Sequence, residues 1–77
     1  MVWTYRICAA ARPRVLMRVA QLFDQQSVPM SRCCLLRREG MLEIEIIVDV
    51  DTELAQRIHA KLYKLEDLTD VELLSRA

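Results

Sequence analysis

The side chains best suited to covalent or metal chemistry are three cysteines, Cys8, Cys33 and Cys34, and the only histidine, His59. A cysteine nucleophile needs a base that meets the thiol and a third group that orients the base. His59 directly follows Ile58, which belongs to an apolar helical stripe, so it reads as a partly exposed helix histidine. Cys33 and Cys34 are adjacent, and on a strand they point to opposite faces. No C-x-x-C pair and no second histidine at ligand spacing is present, so no metal site is expected. The cysteines read as small residues in or near the core. A different chemistry is offered by the loop Ala10–Arg14. It carries Arg12 and Arg14 and leads into a helix N-terminus, a natural place for a carboxylate or another anion.

Composition narrows the function further. The chain has 77 residues, 53% of them hydrophobic, enough for one domain, residues 1–77, with a modest core. Eleven basic residues balance eleven acidic ones, so no long-range field draws it to nucleic acid or to an anionic membrane. A single glycine leaves no room for a glycine-rich phosphate loop. No apolar run approaches the roughly 18–20 residues of a membrane span. The N-terminus lacks the pattern of a secretory leader, and an odd cysteine count makes a poor disulfide framework. The expectation is a cytoplasmic protein with reduced thiols.

The elements that position these residues follow in order. Val2–Ala10 alternates as a strand, apolar on both sides apart from Arg6, as a central strand requires. Val15, Leu16, Val19, Leu22 and Phe23 recur at helical spacing, which predicts a helix over Pro13–Gln26 with Pro13 in its first turn. Val28–Arg37 is expected as a second strand that begins at a sheet edge, because Pro29 near its start cannot donate to a ladder. Arg38-Glu39-Gly40 is the turn into a third strand, Met41–Val50. A two-residue Glu39-Gly40 loop sets Leu35 opposite Ile44 and Cys33 opposite Ile46; a one-residue slip would turn Arg32 inward. Asp51 or Thr52 caps a second helix whose stripe is Leu54, Ile58, Leu62 and Leu65. Val71–Leu74 is a short last strand.

The order βαββαβ predicts an α+β, ferredoxin-like fold: a four-stranded antiparallel sheet with two helices on one face. The expected core is Leu16, Val19, Phe23, Ile44, Ile46, Leu54, Ile58 and Leu62. The other sheet face is left open and carries Arg32, Cys34, Leu36, Glu43, Glu45 and Ile47, besides one side of the first strand. Apolar residues there point to a protein partner. RNA binding through this face would need exposed aromatic residues on the central strands. The third strand has none, and Trp3 and Tyr5 read as packing residues.

With this order in place, Pro13-Arg14-Val15-Leu16-Met17-Arg18-Val19-Ala20-Gln21-Leu22-Phe23 resembles the P-G-x-L-x-R-V-x-x-L-F motif of ACT domains. The match is with those of the small regulatory subunit of acetohydroxyacid (acetolactate) synthase. Lys64-Leu65-Glu66-Asp67-Leu68 is similar to that family's K-L-x-D-V segment, so the resemblance spans nearly the whole chain. It implies a non-catalytic subunit of the short, single-domain kind. Its partner would be the catalytic large subunit of the synthase, and thiamine diphosphate, FAD and magnesium would belong to that partner, not to this chain. It also implies a symmetric homodimer with the second strand and first helix at the interface. A branched-chain amino acid would be held by Ala11, Arg12, Pro13, Arg14, Val15, Leu16, Pro29 and Met30. Two departures weaken that effector site. Arg14 replaces the loop glycine, and Ser27 and Pro29 stand for the glycine and asparagine that precede the second strand. Weak or absent valine feedback is the expectation. The alternative is a free-standing ACT-type amino-acid sensor acting on another enzyme.

Overall fold

The computed structural model describes residues 1–76. Six elements follow in order: β1 (Val2–Ala10), α1 (Val15–Gln25), β2 (Arg32–Arg38), β3 (Met41–Asp49), α2 (Thr52–Leu62) and β4 (Leu68–Arg76). The strands form one antiparallel sheet in the order β2-β3-β1-β4. This is the expected βαββαβ fold. The β2–β3 register is also the expected one, with Leu35 opposite Ile44 and Cys33 opposite Ile46. Its cause is local. Glu39 and Gly40 both have positive φ, 44° and 80°. That is the backbone of a two-residue hairpin turn whose twist matches the strands.

Boundaries and helix phase depart from the sequence reading. α1 starts at Val15, not Pro13, because Arg14 at its N-cap is left-handed (φ 72°) and cannot continue a helix backwards. Pro13 therefore precedes the helix and takes no donor from its first turn. The helix then buries Val15, Val19, Leu22 and Phe23. Leu16, expected in the core, is 37% exposed. In α2 the side chain of Asp51 accepts from Leu54 N–H at 2.8 Å, so Asp51 is the cap. Ala55, Ile58 and Leu62 are the buried positions, and Leu54 and Leu65 only pack against the core margin.

β2 begins four residues later than expected. α1 closes in a Schellman motif: Ser27 N–H donates to Asp24 C=O at 2.9 Å and Val28 N–H to Phe23 C=O at 3.0 Å, with Ser27 left-handed (φ 57°). Val28 is buried against the helix end and is not free to join the sheet. Pro29 lies outside the strand, and the ladder is entered by Ser31 N–H donating to Ile47 C=O at 2.8 Å. β2 is nevertheless an edge strand. β3 ends at Asp49, one residue short of Val50. β4 is longer than Val71–Leu74 because it pairs along most of β1, with a bulge between Cys8 and Ala9.

The core sits between the sheet and the helices. Tyr5, on the central strand β1, is fully buried. Its ring meets Phe23 edge to face at 5.2 Å, and its hydroxyl donates to Ala55 C=O at 2.6 Å. Burial pushes its pKa up to about 12. The folded chain thus favours neutral Tyr5. Stability is complete below the ordinary tyrosine range near pH 10 and falls as pH climbs toward 12, by about 1.4 kcal/mol per pH unit from this group. Urea unfolding at stepped alkaline pH should show this slope in the wild type and a shallower one in Tyr5→Phe. Phe23→Ala should cost about 3–5 kcal/mol; a loss under about 1 kcal/mol would mean that the ring is not part of a tight core.

Candidate functional site

The loop between β1 and α1 is held at three points. Ala11 N–H donates to Gly40 C=O at 2.9 Å, and Ala10 N–H donates to Asp67 C=O at 2.9 Å. Asp67, in the turn before β4, also faces two guanidiniums with its side chain, Arg12 at 3.6 Å and Arg18 at 3.3 Å. The carboxylate is mostly buried while both arginines remain exposed, so each pair is worth only about 0.2–1 kcal/mol. What the arrangement supplies is position: it fixes the loop to both the first helix and the start of the last strand. Arg18 belongs to the first family-like stretch and Asp67 to the second. Neither pairing was visible in the sequence, where even the nearer partners, Arg18 and Asp67, stand 49 residues apart.

The effector-site residues expected from the resemblance do not form one site in this chain. Ala11, Arg12, Pro13 and Arg14 lie at the Gly40 end of the sheet. Pro29 and Met30 precede Ser31, which bonds to Ile47 at the opposite end. Six residues of β3 separate the two ends, about 20 Å. Val15 is 1% exposed and its side chain belongs to the core; Leu16 and Met30 are each 37% exposed. Within one chain the two halves do not meet. Beside the loop, Ala11, Arg12, Pro13, Arg37 and Leu42 line a shallow pocket of about 290 Å³. Arg37, near the end of β2, is thereby placed next to the loop.

Both positions where the family-like motif carries glycine are left-handed here: Arg14 at φ 72° and Ser27 at φ 57°. The chain keeps the backbone that glycine favours while carrying a side chain at each. Arg14 makes no capping hydrogen bond.

Thiol chemistry finds no geometry. Cys8 and Cys34 sit on the open face, while His59 Nε2 lies 2.9 Å from Val71 C=O on β4 and its ring meets Tyr63 edge to face at 4.8 Å. Cys33 faces the helix side, but on β2, three strands away from β4. Its thiol pKa is raised by partial burial and by neighbouring Cys34. Arg32 Nε donates to Cys34 Sγ at 3.2 Å. Among the described residues no three His, Cys, Asp or Glu side chains converge as metal ligands would, and no helix is long and apolar enough to cross a membrane.

The open face holds Arg32, Cys34, Leu36, Glu43, Glu45 and Ile47 together, as expected. Leu36 is 45% exposed, whereas Ile47 is only 9% exposed and so contributes less surface than its position implied. No protein-family model and no curated protein matches the chain. Solved structures do. The ACT domain of GTP pyrophosphokinase from Chlorobium tepidum superposes with a TM-score of 0.86 at 17% identity, over 100% of this chain and 89% of that one. The fold is that of an ACT domain. The acetolactate synthase small subunit of Thermotoga maritima matches with a TM-score of 0.84 at 21% identity, over 97% of this chain and 48% of its own. This chain therefore spans about half the length of that subunit. A formyltetrahydrofolate deformylase of Pseudomonas putida contains the same fold (TM-score 0.81, 12% identity, 99% of this chain and 29% of that one).

A left-handed arginine carries strain of about 1–3 kcal/mol, part of which glycine would return as lost chain entropy. Arg14→Gly should therefore raise stability by up to about 1 kcal/mol, and Arg14→Val should lower it by more than about 1 kcal/mol. Thermal unfolding of the two variants checks this; equal stabilities would contradict the left-handed assignment.

Proposed function

We propose that this chain is a non-catalytic regulatory subunit of an acetohydroxyacid (acetolactate) synthase. The observation that carries the reading is the meeting of its two family-like stretches at Asp67, where Arg18 lies 3.3 Å away. Residues that resemble one family far apart in sequence here secure a single loop. The likeness to the Thermotoga maritima small subunit over 97% of this chain supports it. The carboligation would belong to the large subunit, with its thiamine diphosphate, FAD and magnesium. This chain would raise the partner's activity by binding its active conformation more tightly than its inactive one.

The working unit in this reading is a symmetric homodimer. β2 supports it: it is a sheet edge with Leu35 48% exposed on the side the helices should cover. Unpaired ladder groups beside exposed leucine are an invitation to pair. Two copies related by a two-fold axis also bring the loop of one toward Pro29 and Met30 of the other. Effector binding is weak in this account, because the Arg14 side chain projects from the position that glycine leaves open, and Pro29 supplies neither N–H nor amide. A second reading, an amino-acid sensor for another enzyme, draws on the equal likeness to the ACT domain of GTP pyrophosphokinase.

Titrating the chain into purified acetohydroxyacid synthase large subunit should raise its rate saturably, by roughly 5- to 150-fold, the range given by about 1–3 kcal/mol of coupling. Valine, leucine or isoleucine should change the stimulated rate by less than about twofold, which corresponds to coupling under about 0.4 kcal/mol. A folded chain that leaves the rate unchanged would contradict the reading. Strong inhibition by valine would restore the loop as a working effector site.

A further inference from the structure

We infer that a second copy pairs with β2 in the register that sets Cys34 against its own symmetry mate, so that one disulfide can lock the dimer; the inference rests on the reading of this chain as a two-fold dimer through β2. The groups available for pairing follow from the hairpin. Arg38 and Met41 close the two-residue turn, and such a closing pair exchanges its N–H and C=O groups. Alternation then points the backbone groups of Arg32, Cys34, Leu36 and Arg38 at β3. Those of Cys33, Leu35 and Arg37 point out of the sheet. Ser31 N–H already donates to Ile47 C=O, so the free edge starts within β2 itself.

A two-fold axis normal to the sheet keeps the helices of both copies on one side. Directly opposite residues then come from the same face of the two strands, and the axis passes through a residue of β2. Four positions are open to it. An axis at Leu35 sets Arg32 opposite the copy's Arg38 twice, and like charges directly opposite are destabilising. An axis at Leu36 sets Leu35 against Arg37 and carries Met30 past the partner's turn, away from its loop. An axis at Cys33 lets only Arg32, Cys33 and Cys34 overlap within β2, so only one outward residue of each copy finds a partner.

An axis at Cys34 has none of these faults. Cys33 and Leu35 pair reciprocally, which uses the outward groups of both and covers a leucine that is 48% exposed. Arg32 meets Leu36 of the copy, whose neighbour on β3 is Glu43. Met30 comes to lie beside the copy's Arg38, at the end of the sheet where Gly40 holds the loop. Cys34 meets its own mate at a pair without hydrogen bonds, where Cα atoms are about 4.5 Å apart. A disulfide accepts about 4.4–6.8 Å. The two Cys33 residues then stand on a diagonal of about 7–8 Å, too long for a bridge. Cys8 is on β1, two strands in from this edge.

The test is oxidation of the full chain by diamide, read on a non-reducing gel. The two thiols give their hydrogens to the N=N bond, which becomes a hydrazine, and the two sulfurs join. Wild type, Cys8→Ser and Cys33→Ser should all run as covalent dimer, with a half-time unchanged when the dimer is diluted. Cys34→Ser should lose that band, while sedimentation of the reduced variant still shows the pair. A covalent dimer that needs Cys33 and survives Cys34→Ser would place the axis at Cys33 and overturn the inference. A wild-type chain that sediments as a dimer but gives no covalent dimer would overturn it too, and the pairing through β2 would stand. If wild type sediments only as a monomer, both fall.

Discussion

One side chain, Tyr5, joins all three layers of contact in this protein. It stands on the central strand, its ring meets Phe23 of α1, and its hydroxyl bonds to Ala55 of α2. A buried hydroxyl without a partner costs about 1–3 kcal/mol, so the bond fixes where α2 lies along the sheet as well as how firmly. The choice of Ala55 as the contact follows from size. The carbonyl is reached at 2.6 Å because a fully buried alanine, and not a larger residue, packs beside it. Helix phase, and with it the placement of Asp51 and His59, depends on this junction.

Much of this was legible in the residues alone. Element order, sheet class and the β2–β3 register came from alternation and from Glu39-Gly40, where a short-range rule has little competition. What escaped depended on backbone conformations that residue type hides. Arg14 and Ser27 are left-handed although neither is glycine. Pattern rules extend a helix through such positions, and so α1 was expected to begin at Pro13 and β2 at Val28. The phase error has the same origin. Val15 and Leu16 are both apolar neighbours, and only the start of the helix decides that Val15 turns inward and Leu16 outward.

The loop site was half legible. Its position after β1 and its basic character could be read directly, and so could the residues of each family-like stretch. Its fastening could not. Asp67 reaches Arg12 and Arg18 only because β4 returns beside β1, a consequence of the complete topology. The separation of Pro29 and Met30 from Ala11–Arg14 likewise follows from the run of α1 back along the sheet. Residues that the resemblance groups together thus lie at opposite ends of this chain.

That geometry makes pairing the central claim. A lone chain offers two incomplete halves, an exposed Leu35 and an edge strand with unpaired backbone groups. A two-fold dimer through β2 and α1 answers all three. Sedimentation equilibrium at tens of micromolar measures this most directly. The account predicts a species of twice the chain's mass that Leu35→Asp converts to a folded monomer. A wild-type chain that sediments only as a monomer would contradict it.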